Sequence, residues 1–237
     1  MIKLLKDKKN IVIILFTLLF FIKIPQESQR FIFWILGGVA LACLIDSIVG
    51  NFFLEKKGFA NSAIISGFIV SGILDYHQPW YILLTFVLAA IISKHLLRFR
   101  GKHIFNPANF ALFLATIFKI PLTWNIESNI PLIIIFGIYL SFTYRKLFHI
   151  LGFLLVFLVP VIFLKTNPFQ LVSWFFIFIM LIEPKTSGYG KLRGLIFGGI
   201  CGLFSFLFLK FIPGVDIFVS SLFIANLFNP VLEKLKS

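Results

Sequence analysis

The sequence predicts an all-α fold, a polytopic membrane helical bundle of about ten spans, and three observations carry that expectation. The 237 residues are 59% hydrophobic with a mean hydropathy of +1.02, whereas soluble domains hold about 45–50% apolar residues. Apolar stretches near spanning length, about 20 residues with a range of roughly 17–25, follow one another from end to end. Lys and Arg fall in alternate loops, the mark of the positive-inside rule.

The spans are expected at 10–24, 31–50, 60–74, 79–97, 104–120, 130–144, 147–164, 168–183, 194–211 and 214–232. The first follows a basic start and resembles a secretory signal, but no small-x-small cleavage site comes after it, so it reads as an uncleaved span. The second carries Asp46 in "LACLIDSIVGN", about one turn from its cytoplasmic end. An acid within a span is a functional candidate, and the ordinary alternative is that it reaches water. The third reads "NSAIISGFIVSGIL", with Ser62, Ala63, Ser66, Gly67, Ser71 and Gly72 placing small residues along one side. Small residues permit close helix packing, or leave room for a flat ligand or a broken helix. The fourth ends in the basic loop holding Lys94, Arg98, Arg100 and Lys102. The fifth opens on "FNPANF", where Asn106 caps and Pro107 sits just inside a helix start; Asn106 and Asn109 put two carboxamides at the mouth of an apolar segment. The sixth and seventh meet at Arg145 and Lys146. Pro184 stops the eighth after Glu183, since it removes a donor and restricts the residue before it. Thr186, Ser187, Gly188 and Gly190 then make a polar turn, which can be a plain loop or a cradle for a polar ring or phosphate. The ninth and tenth close the chain. Short spans still cross when flanking Lys and Arg snorkel or when they are buried in a bundle.

With the N-terminus cytoplasmic, seventeen basic residues lie inside and five (Lys23, Arg30, Lys119, Lys165 and Lys210) outside, together all 22 Lys and Arg. That distribution accounts for the net charge of +13 without nucleic acid as a partner. It predicts a multi-pass protein of the cell membrane with both termini cytoplasmic. Ten spans divide into halves 1–125 and 126–237 within a single membrane domain 1–237. An odd-numbered half makes the second enter from the opposite side, the arithmetic of an inverted repeat. "FNP" recurs at Phe105–Pro107 and Phe228–Pro230, but one opens a span and the other closes one.

The chemistry-bearing motifs are few. Cys43 and Cys201 sit in apolar runs with no CxxC, CxH or HExxH spacing, so metal ligation by the chain alone is not expected. His77, His95, His103 and His149 stand at span ends and read as interfacial side chains. There is no GxGxxG, P-loop or GxSxG, and no room for a globular catalytic domain.

Two stretches together resemble the RnfD/NqrB family, membrane subunits of ion-translocating electron-transport complexes. "GKHIFNPANFALFLATIFKIPLTW" is similar to its "FNPA" helix, and "FIMLIEPKTSGYGKLRGLIFG" to its "DPVTSP…G.LIFG" segment. Order and spacing agree over roughly residues 60–200. The resemblance implies ten spans in two inverted halves, a redox subunit of a multi-subunit oxidoreductase, and partners that are other electron-transport subunits or a flavin or ferredoxin reductase in the lipid bilayer. It also implies flavin, riboflavin or FMN. Asn106 and Asn109, Lys102, Glu183, Thr186, Ser187, Ser66 and Gly67 are then the expected cofactor-binding residues, with polar groups of the third span, the start of the fifth and the end of the eighth converging near Asn106. A carboxamide can both donate and accept at a flavin's pyrimidine edge, and nearby cations such as Lys102, Lys185 and Lys191 favour the reduced anion. The sequence departs from the family where the outer loop is only "KIPLTWNIESN" and lacks the "S-x-A-T" motif, so covalent FMN is not expected. Glu183 also stands where the family has Asp. A solute or ion channel or transporter on the same scaffold, without redox activity, is the alternative of a different class, and a purely structural assembly subunit is a third.

Overall fold

The computed structural model describes residues 8–53, 60–99, 102–163, 171–183, 190–232 and 234, with backbone only at 52, 53 and 102. It is all-α apart from one two-residue hairpin, β1 (Arg98–Phe99) with β2 (Lys102–His103), in the basic loop. The helices are α1 (Lys8–Lys23), α2 (Gln29–Phe53), α3 (Asn61–Ile73), α4 (Trp80–Leu96), α5 (Pro107–Ile117), α6 (Ile130–Thr143), α7 (Leu147–Phe163), α8 (Lys191–Phe211), α9 (Ile217–Leu227) and the single turn α10 (Asn229–Leu232). A 3₁₀ turn, Ile24–Gln26, joins α1 to α2.

Apolar helices stand at nine of the ten expected positions. In the region expected to form the eighth span, residues 168–170 lie outside the described residues, and the described ones include a five-residue π segment, Phe176–Met180. Its wider turn is closed by Leu181 N donating to Phe176 O at 2.9 Å. Among the described residues, only Lys8–Gln26, Gln29–Asn51 and Lys191–Phe211 are both long and apolar enough to cross a membrane by themselves. Large apolar side chains face outward around the bundle, among them Tyr81, Leu155 and Phe163, a surface compatible with lipid.

The short helices have identifiable ends. Asn106 Oδ1 accepts from Asn109 N at 3.1 Å and starts α5, with Pro107 at its first position. Asn129 does the same for α6 through Leu132 N. Asp216 starts α9 by accepting from Phe218 N and Val219 N. At the far end of α3, the loop between α5 and α6 turns in: Ile126 N donates to Gly72 O, and Thr123 N to Ile73 O. Those bonds occupy carbonyls that a longer helix would bond itself.

Packing uses glycine where backbones touch. On α8, Gly194, Gly198 and Gly202 recur every fourth residue against α7; a Cβ on Gly198 would strike the carbonyl oxygen of His149, and one on Gly202 would meet that of Phe153 at 2.7 Å. Gly67 performs this service for α3 against α2, where a Cβ would meet Val39 Cα at 2.8 Å and Gly38 O at 2.9 Å. A buried core of Phe, Ile, Leu, Val and Trp34 fills the centre, including Phe16, Phe153, Phe157, Phe175 and Phe176.

Candidate functional site

At the end of the bundle where α1 and α3 begin and α4 stops, a cavity of about 100 Å³ opens between α1, α3, α4, α5, α6 and the π segment. Its polar wall is made by Lys9, Ser62, Ser66, Lys94, His103, Asn106, Tyr144 and Glu183; Ile65, Ile69, Leu140, Phe178, Ile179 and Ile182 supply most of the rest. The cavity brings together Ser66, Asn106 and Glu183, three of the residues expected at a cofactor site.

Each side chain is positioned by local structure. Asn106 is 3% exposed. Its oxygen is committed to the α5 cap, and its Nδ2 donates to no described residue, so the amide nitrogen is free to serve the cavity. Ser62 lies in the first turn of α3, which has no side-chain cap, and its buried Oγ has no partner. Lys94 reaches the wall from the last turn of α4. Asp46 holds it there: Lys94 Nζ donates to Oδ1 at 2.6 Å, His95 Nε2 lies 3.0 Å from the same oxygen, and Ala60 N donates to Oδ2 at 2.9 Å. Asp46 therefore does not reach water. It pins α2 to α4 and fixes the start of α3.

The other expected residues lie elsewhere or outside the described residues. Asn109 is fully buried and donates to Val219 O at 3.1 Å, tying α5 to α9. Gly67 packs on α2, as above. Thr186, Ser187, Lys185 and the Lys102 side chain lie outside the described residues. Sequence reasoning missed Lys94 and His103 as wall residues, and had Ser62 only as a member of the small-residue stripe of the third span. Lys94 had one legible signal, since it falls a helical turn beyond Ala90 and Ile91 on the buried face of α4. His95, read as interfacial, is bonded to Asp46. The two "FNP" segments are spatial neighbours, because Asn229 Nδ2 donates to Ile104 O at 3.4 Å and Phe105 stacks on Phe223 at 4.7 Å.

A second polar group occupies the opposite end. Trp124, in the left-handed region at φ 51°, donates its indole N–H to Asp216 Oδ2 at 2.7 Å. Glu127 accepts from Ser173 Oγ at 2.8 Å and Trp174 N at 2.7 Å, capping the chain into the π segment. Burial pushes both carboxyls above their ordinary values, against the opposing effect of these hydrogen bonds. They border a hollow of about 390 Å³. Among the described residues, no group of His, Cys, Asp and Glu is arranged to hold a metal ion.

A flavin is tested by this geometry in two ways. The donor set suits it: an amide, a hydroxyl and a held ammonium match the carbonyl edge of an isoalloxazine. The space does not, because ligand sites for such ring systems occupy roughly 300–1,000 Å³ and the cavity offers about 100 Å³. No family model matches the chain, and no curated protein matches it significantly.

Proposed function

We propose that this chain is a multi-pass membrane subunit on an RnfD/NqrB-like scaffold, working in ion-translocating electron transport beside a flavin or ferredoxin reductase. The observation that carries the reading is the meeting of Ser66, Asn106 and Glu183 at one cavity. Asn106 and Glu183 come from the two stretches that bear the resemblance, and Ser66 from the third span, which precedes them. Non-covalent riboflavin or FMN is the cofactor this reading calls for. The cavity, at about 100 Å³, is too small for its rings.

The reading includes two inverted halves, and part of the packing supports them. α1 lies on α3 as α6 lies on the π segment; α2 on α4 as α7 on α8; α4 on α5 as α8 on α9. Across the halves, like meets like, α1 on α6 and α5 on α9. The third and fifth segments of each half are the short ones: α3 and α5, then the π segment and α9. Short or interrupted segments at corresponding positions are how transporters of this kind build a site at mid-membrane.

The cavity's volume favours a second reading, a small-solute or ion transporter that has the scaffold and no redox work. One visible absorption spectrum of the gently extracted protein separates the two. A flavin band supports electron transport; a colourless protein that moves solute in vesicles supports the second.

A further inference from the structure

We propose that the cavity walled by Lys94, Asn106 and Ser62 is a site for a small planar oxyanion of the carboxylate type, the size of formate or acetate. The assignment rests on the solute reading and names its ligand class.

The wall is rich in donors. The Asn106 amide is more than nine-tenths buried with no described acceptor on its nitrogen. Ser62 Oγ is buried and unpartnered. Lys94 carries three donors, and only one is given to Asp46. An apolar occupant would leave these donors unsatisfied at the full desolvation penalty. A carboxylate, with about four lone-pair directions, can accept from all three. The backbone field has the same sign. α3 and α5, 13 and 11 residues long, both begin at this cavity, and helix starts attract anions. Lys9 adds positive charge, while that of Lys94 is balanced by Asp46 and leaves it as a donor. The described wall also holds one carboxylate, Glu183, which has an interaction of its own and which the donors must outweigh. Size completes the match, since about 100 Å³ admits a few heavy atoms and excludes a ring system.

The test is thermal unfolding of the full chain in mild detergent with sodium formate or acetate, at constant sodium and ionic strength balanced with gluconate, which is too large to enter. The expected result is a saturable rise in the midpoint with formate and acetate. Asn106→Asp keeps the oxygen that caps α5 and replaces the N–H₂ donor by negative charge; it should weaken the anion response at least tenfold. Ser62→Ala removes one donor without touching a cap and should weaken it severalfold, which keeps the test open if the first variant does not fold. A midpoint that responds equally to gluconate, or an unchanged formate response in Ser62→Ala and in a folded Asn106→Asp, overturns the site and leaves a nonspecific salt effect. Vesicle flux is a separate readout. Saturable binding without flux retains the anion site and sinks the transporter reading, whereas flux of another solute without anion binding sinks only the site.

Discussion

Asp46 sits among apolar neighbours on α2 and accepts three hydrogen bonds, two of them from α4. Removing one member of a buried ion pair strands the other, at about 3–5 kcal/mol, whereas losing an N-cap costs about 0.5–2 kcal/mol. Asp46→Ala should therefore destabilise the protein more than Asn106→Ala in detergent unfolding. Asp46→Leu combined with Lys94→Met should recover most of the loss, since an apolar pair leaves no stranded charge. The sequence made Asp46 legible as an acid out of place. Its partner was not legible, because Lys94 is 48 residues away and meets it only through the packing of α2 on α4. Glu127 gives a pH prediction. Burial raises its folded pKa above the ordinary 4.5, so the folded state holds its proton more tightly than the unfolded chain. Its contribution to stability is fully present below that ordinary value and is lost as pH rises through the raised one. Acidifying from neutral should raise the unfolding midpoint of the native protein relative to Glu127→Gln; parallel pH profiles would refute this.

At the scale of elements, the α7–α8 pair offers a contrast between adjacent glycines. A methyl group on Gly198 meets a backbone carbonyl that cannot move aside, while one on Gly199 meets only Val156 Cγ2 at 3.5 Å. Gly198→Ala should destabilise the protein by about 1–3 kcal/mol, as overpacking does. Gly199→Ala should be neutral or stabilising by up to about 1 kcal/mol, the helix propensity difference. Equal effects in thermal unfolding would contradict the packing. The fourfold spacing of Gly194, Gly198 and Gly202 stood in the sequence, so this interface was readable there. The π segment was not. "FFIFIM" is uniformly apolar and carries no period, and what opens the turn is tertiary: Phe178 packs onto the bare backbone of Gly137, while Glu127 and Ser173 hold its start. The convergence on the cavity was foreseeable because caps and small residues are local signals. The cavity's smallness was not, since it depends on how far Leu140 and Phe178 reach inward.

For the whole molecule, the charge pattern sets the expected orientation. Lys9, Lys94 and Lys191 gather at the cavity end, and Trp124, Glu127 and Asp216 at the other. Reporter fusions or cysteine labelling at Asn125 and Lys185 should report opposite sides of the membrane, with Lys185 cytoplasmic. The same side for both would overturn the topology. That no FMN is attached covalently is a further whole-chain expectation: co-expression with a flavin transferase should give no fluorescent band at 27.1 kDa on a denaturing gel, because the only Ala-Thr pair, Ala115 and Thr116, lies within α5.

The loop that turns in to meet the end of α3 has an electrical consequence. In a bilayer, water standing in the cavity at one end and in the Trp124 hollow at the other would be at nearly the potential of its own bulk phase. The transmembrane voltage would then fall mainly across what lies between them. The whole of α3, thirteen residues, rises about 20 Å, against about 30 Å of hydrocarbon, and the cavity already reaches along it to Ile69, so the local field would be at least half again as strong as in plain lipid. Any charge crossing this septum would feel the whole voltage, about 2.3 kcal/mol per elementary charge per 100 mV, within a few turns of helix.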